Sequence, residues 1–325
     1  MFLKWGQTPF QERGIRTLTP NSKNLAAGLA WIALSILCWA PLFSVAKRTL
    51  PYLDAFALGT VRYALGVALF LLLVVAVEGR GALRYEGRFL PAAAFGVIGI
   101  TGFNLFVWIG LTFTLPEHAA VILALQSPLT ALAVWVARGQ RPATFTLGCV
   151  GVALIGVLLV VTKGDPLLAV VDLTRGGALL GDLLVLVGAI TWAIYTLGVG
   201  HFAGWTPLRY TALTCLPGLG GLIAANIIAI ALGWASMPTT GALAAVAWPI
   251  AYFAICTVVL GVLGFNNAAR RLGPLNAMLM LNVVPVLVFG IEAALGRRFA
   301  AIELAGAAIV IAALVANNLY LRAQK

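Results

Sequence analysis

Amide side chains set deep in apolar sequence are the groups of this chain best suited to chemistry: Asn104, Gln126, Asn266, Asn267 and Asn282. Burying an amide in an apolar medium costs several kcal/mol unless it finds a hydrogen-bond partner or lines a wet cavity. Close to them fall the rings of Trp39, Phe103, Trp108, Trp192, Tyr195 and Phe265 and the thioethers of Met278 and Met280. Amides give directional hydrogen bonds, while rings and thioethers give an adaptable apolar wall. The set therefore suits reversible binding of a neutral or zwitterionic solute with an apolar side chain. The expected cavity lining is Trp39, Phe103, Asn104, Trp108, Gln126, Trp192, Tyr195, Phe265, Met278 and Asn282. Packing between helices is the competing role for all of these residues.

Bond-making chemistry has no comparable foothold. The sequence has no GxxxxGK[ST] phosphate loop, no GxSxG elbow and no HExxH pair. His118 and His201 are solitary, expected at the surface, and the four cysteines lack metal spacing. No catalytic residue, metal or cofactor is expected, and the chain reads as a non-enzyme.

The elements that must position the amides are duplicated. AVILALQSPLTALAVWVARGQR (Ala120 to Arg141) recurs as AMLMLNVVPVLVFGIEAALGRR (Ala277 to Arg298) at an offset of 157 residues. Pro128 falls on Pro285, and each proline frees the carbonyl four residues earlier, so both mark expected helix kinks. Composition identifies the medium: 62% apolar and 10% charged residues with a mean hydropathy of +1.03 describe an integral membrane protein. Ten apolar runs are long enough to span a bilayer: Leu25–Ala46, Ala55–Val77, Phe89–Phe113, Ala119–Ala137, Phe145–Val161, Gly177–Gly200, Pro207–Leu232, Gly241–Phe265, Leu275–Leu295 and Phe299–Leu321.

Five helices per copy reverse the orientation of the second copy, so the expected fold is all-α, ten transmembrane helices in two inverted five-helix repeats. With the N-terminus inside, fourteen of the 21 Lys and Arg fall on inner segments and six on outer ones, with Arg62 inside the second helix. Both termini are thus expected in the cytoplasm. The net charge of +11 is assigned to anionic lipid headgroups rather than to nucleic acid. Arg62 is expected to snorkel outward or pair with Asp54, a structural role being favoured over binding a substrate carboxylate. Asp182 and Glu292 are the remaining candidates for ion coupling. Residues 1–24 read as a cytoplasmic tail without signal-peptide character, 25–162 and 177–321 as the two repeats, 163–176 as an outer linker and 322–325 as a cytoplasmic tail.

Trp39 in a helix ending at Lys47, the pair Arg62–Tyr63, Pro128, the stretch Gly139–Pro142 and Gly148 occur in order in the first half. Gly181, Asp182, Trp192, Pro285, the stretch Leu295–Arg298 and Gly306 follow in the second. With these markers, over residues 25–321, the chain resembles the drug/metabolite transporter superfamily of EamA type, and within it the YddG-type amino-acid exporters. It departs from that pattern at Gln140 and Arg297, where the family commonly has glutamate. The resemblance implies export of small metabolites, aromatic or otherwise apolar amino acids above all, across a bacterial inner membrane without ATP hydrolysis. Partners are a small-molecule substrate and membrane lipids, and a monomer is an admissible state. The alternatives are another cargo, such as a nucleoside or a drug-like compound, and a non-transporting membrane receptor.

Overall fold

The computed structural model describes residues 22–126, 128–129, 132, 135, 139, 141–165, 177–198, 201–202, 204–272, 277 and 280–323. The expectations for the N-terminal tail up to residue 21, linker residues 166–176, Gln140, Met278 and residues 324–325 lie outside the described residues.

A chain this apolar must satisfy its backbone hydrogen bonds internally, and among the described residues every regular element is a helix. Eight are long and apolar enough to cross a membrane: α1 (Leu25–Thr49), α2 (Ala55–Glu78), α3 (Phe89–Phe113), α5 (Thr144–Thr162), α6 (Ala178–Gly198), α7 (Pro207–Ala231), α8 (Ala247–Leu272) and α10 (Ala301–Leu321). Two shorter apolar helices, α4 (Pro116–Ala124) and α9 (Val283–Ala294), complete the order. Large apolar side chains such as Leu37, Leu72, Ile155 and Ile227 lie exposed on the outside, as a lipid-facing surface requires.

Local chemistry sets the helix ends. Asp54 caps α2 by accepting from the amides of Phe56 and Ala57 at 3.0 and 2.8 Å. Thr206 caps α7 through the Arg209 amide at 3.0 Å, with Pro207 in the first turn. The starts of α4 and α8 differ from those read in the sequence for a reason visible in the residues. Helix α4 begins at Pro116 rather than Ala119, because a proline without an N–H is suited to the first position of a helix. The run expected from Gly241 breaks at Val246: Thr240–Ala245 forms a short helix, and α8 restarts at Ala247, which places Pro249 in its first turn.

Three irregularities shape the centre. Helix α1 turns at Ala40 and Pro41 before continuing to Thr49. Leu125 (φ −69°, ψ −6°) ends α4, and Asn282 (φ −64°, ψ −8°) precedes α9, so the chain breaks in the same way three residues before each matched proline. Helices α3 and α8 each contain a π-helical stretch, Val97–Gly102 and Phe253–Leu260. Such a wide turn inserts a residue into the helix and re-aims every side chain after it.

Each of α1 to α5 makes its most extensive contacts with a helix of the later group: α1 with α8, α2 with α7, α3 with α6, α4 with α9 and α5 with α10. Glycines permit the closest crossings. A Cβ on Gly110 would stand 2.7 Å from the Gly181 carbonyl oxygen, and one on Gly156 would stand 2.7 Å from that of Gly306.

Candidate substrate cavity

Beside the α4 and α9 breaks and the π-helical stretch of α8 lies a central cavity of about 1020 Å³ of empty space, part of it open solvent. Of the residues named from sequence, Trp39, Phe103, Gln126, Trp192, Phe265 and Asn282 line it, as does Pro285. Phe103 and Trp192 pack with centroids 5.0 Å apart and planes tilted by 51°, and Trp39 lies 5.9 Å from Phe265. The Trp39 indole N–H donates to the Thr257 carbonyl at 2.9 Å, an acceptor within the π-helical stretch of α8. The wall is thus locked across α1 and α8. Asn282 is 5% exposed, and its Nδ2 has no hydrogen-bond partner among the described residues.

Other named residues stand behind this wall. Asn104 is fully buried, donates to the Ile100 carbonyl at 2.7 Å and accepts from the Trp108 indole at 2.8 Å. Tyr195 packs against Tyr210, with its hydroxyl 3.0 Å from Thr214 Oγ1. Asn266 donates to Thr211, and Asn267 to the carbonyl of Leu263 in its own helix. Met280 packs in the cluster of Ile32, Ile36 and Phe265. Pro128 is buried, close after the α4 break.

Arg62 corrects the sequence reading. It neither snorkels nor meets Asp54, whose carboxylate caps α2 and receives the Ser236 amide at 3.4 Å. Its guanidinium carbon instead lies 4.8 Å from the Trp108 ring centre, 5.3 Å from Tyr63 and 5.6 Å from Phe253, and the side chain lines the cavity beside Tyr63.

His118 is a second correction. Because α4 starts at Pro116, Glu117 and His118 fall in its first turn rather than in a surface link, and both are buried. His118 Nδ1 lies 3.3 Å from Asp182 Oδ2 and 3.3 Å from Thr114 Oγ1, and the Thr114 hydroxyl also donates to Asp182. Arg297 forms ion pairs with Glu117 and Glu303. The Lys47 ammonium donates to the carbonyls of Leu111, Thr112 and Thr114 at 2.6, 3.1 and 2.6 Å. One donor atom each from Glu117, His118 and Glu303 lies within 4.8 Å of the others, but the Arg297 guanidinium already supplies the positive charge that a metal would bring.

The opposite end is tied through solvent-facing groups. Arg209 donates to Glu86 and to the Arg84 carbonyl, both at 2.7 Å, and the Trp205 indole donates to Glu86 at 3.2 Å. The Thr206 hydroxyl donates to Glu78. His201 is exposed there, beside Phe95.

An apolar bundle that breaks its helices around a central cavity has the anatomy of a carrier, and the comparisons decide its kind. The sequence pattern of the EamA-like transporter family matches twice, over residues 26–162 and 179–319. The chain belongs to that family. Among similar proteins, the uncharacterized transporter YrdR of Bacillus subtilis (strain 168) is 27% identical over 92% of this chain and 93% of its own length. The uncharacterized transporter YyaM of the same organism is 31% identical over 89% and 92% respectively. A solved crystal structure at 20% identity shares the fold, with a TM-score of 0.61 over 94% of this chain and 100% of that one. This EamA-family chain is a multi-pass membrane transporter.

Proposed function

We propose that this transporter exports small apolar amino acids, aromatic ones included, from the cytoplasm across a bacterial inner membrane by alternating access around the central cavity. The observation that carries the reading is the lining: packed rings from α3 and α6, the Trp39–Phe265 pair from α1 and α8, and, among the described residues, amides at Gln126 and Asn282. Such a wall holds an apolar side chain and leaves a few directional groups for the polar part of the cargo. The proposed topology is ten helices in two inverted five-helix repeats, in which the matched breaks at Leu125 and Asn282 occupy equivalent places. It is supported by the pairing of every early helix with a later one. The basic residues of the link after α2, Arg80, Arg84 and Arg88, together with Arg209, which donates to the Arg84 carbonyl, support a cytoplasmic placement of that end and of both termini.

Efflux of labelled amino acids from proteoliposomes tests the reading. Trp39→Ala and Gln126→Ala are each expected to lower the flux at least tenfold at unchanged folded yield, about the effect of 1.4 kcal/mol of lost binding. Wild-type flux in both variants would remove these residues from the site. Saturable flux of nucleosides but of no amino acid would overturn the cargo.

A further inference from the structure

We propose that Arg62 is the anion anchor of the cavity: it receives the carboxylate of the cargo, so the transported class is small carboxylates with an apolar body. The proposal rests on reading this cavity as the cargo site and goes beyond it by naming the group that is recognised.

Three observations converge on Arg62. The side chain is 4% exposed yet lines the cavity. Its Nε and Nη1 are buried without a hydrogen-bond partner. Among the described residues it makes no ion pair, and Asp54, the carboxylate nearest in sequence, is spent on the α2 cap and the Ser236 amide.

The groups around the guanidinium are rings, with the Tyr63 hydroxyl as a single neutral hydrogen-bonding partner. Trp108, Phe253 and Tyr63 attract a cation through their faces, but ring faces do not accept the in-plane fork of N–H donors as a carboxylate does. Arginine keeps its charge at any physiological pH, so the site cannot relieve the burial by losing a proton. A planar two-oxygen anion fits the fork with two parallel hydrogen bonds, and in a partly desolvated cavity the attraction exceeds its value in water.

The rest of the wall agrees in sign and shape. Among the described residues no Asp or Glu lines the cavity, so none of them repels a carboxylate or offers a counter-ion to a cargo that is only a cation. The unpartnered Asn282 Nδ2 offers a second donor. Phe103, Trp192 and Phe265 remain for the apolar body.

Thermal unfolding of the full chain in nanodiscs distinguishes an anchor from a packing residue. The probes are tryptophan and leucine, and for each its amide, its decarboxylated amine and its deaminated acid. The wild-type protein is expected to be stabilised by the amino acids and the deaminated acids, because a ligand held only by the folded state raises its melting temperature. The amides and amines should give no shift. Arg62→Gln should weaken carboxylate binding about a hundredfold, while its empty form melts at or above the wild-type temperature because an uncompensated buried charge has gone. Arg62→Lys, which keeps the charge without the fork, should fold and bind about tenfold more weakly than wild type, and it carries the test should the glutamine variant not fold. Equal stabilisation by amides and carboxylates, stabilisation by no carboxylate, or carboxylate preference retained in both variants would each overturn the proposal. Stabilisation by the deaminated acids alone would sink the amino-acid reading and leave the arginine's role standing.

Discussion

The two ends of this bundle use the same residue types under opposite conditions. At one, Glu117, Asp182 and Glu303 are at most 4% exposed and are held by Arg297, His118 and Thr114. At the other, the Arg209–Glu86 pair leaves its carboxylate 48% exposed. The buried ties join α4 to α6 and α10, and Lys47 joins α1 to the end of α3. The exposed ties join the end of α2 and the link after it to Trp205, Thr206 and Arg209 at the start of α7. In a buried network a lost partner strands a charge that water cannot reach, whereas at the exposed end solvent replaces it. The structure is therefore fastened at the Glu117 end and merely trimmed at the Glu86 end.

Arg297→Ala is the severest way to break this contrast. It leaves Glu117 and Glu303 without their cation, and a loss of about 3–5 kcal/mol is expected, read as a large fall in melting temperature. Next comes Asp182→Ala, which strands the Thr114 hydroxyl and the His118 ring at a cost of about 1–3 kcal/mol. A smaller loss for Arg297→Ala than for Asp182→Ala would show that the guanidinium is not the centre of the network. Smallest is Glu86→Gln, expected to lower the melting temperature only slightly at neutral pH in physiological salt. The hydrogen bonds from Arg209 and Trp205 hold the Glu86 carboxyl below its ordinary range. A depressed folded-state value means the pair contributes above the usual carboxylate value, about 4.3, and fades as pH falls through the folded value. Unfolding of wild type and Glu86→Gln should therefore differ least in strong acid, and a gap widening there would reverse the sign.

Much of this was legible in the residues. Eight of the ten apolar runs correspond to membrane-length helices among the described residues, because nothing else places so many aliphatic residues between charges. The 157-residue repeat marked the prolines beside which the chain breaks. Trp39, Phe103, Gln126, Trp192, Phe265 and Asn282 line the cavity because polar or aromatic groups at mid-depth have few other places to go. Helical phase was not legible. The π-helical stretch Val97–Gly102 precedes Asn104 and Trp108 and turns them from the cavity into the core, and nothing in the local composition announces it. Glu117 and His118 looked like link residues because Pro116 reads equally as a break or as the first residue of a helix. Arg62 was misjudged because snorkelling is the cheaper habit of a membrane arginine, and only the ring cage shows that it was declined.

The pairing of α1 to α5 with α8, α7, α6, α9 and α10 also has a consequence in time. A ribosome delivers the chain from its N-terminus, so all five early helices enter the membrane before any of their principal neighbours exists. Contacts between residues so far apart in sequence form slowly, and until they do, Gly110, Gly156 and the faces they open have nothing to close upon. The first five helices are then a waiting intermediate, and a ribosome that stalls beyond residue 165 should leave a product more open to proteolysis than either the shorter or the finished chain.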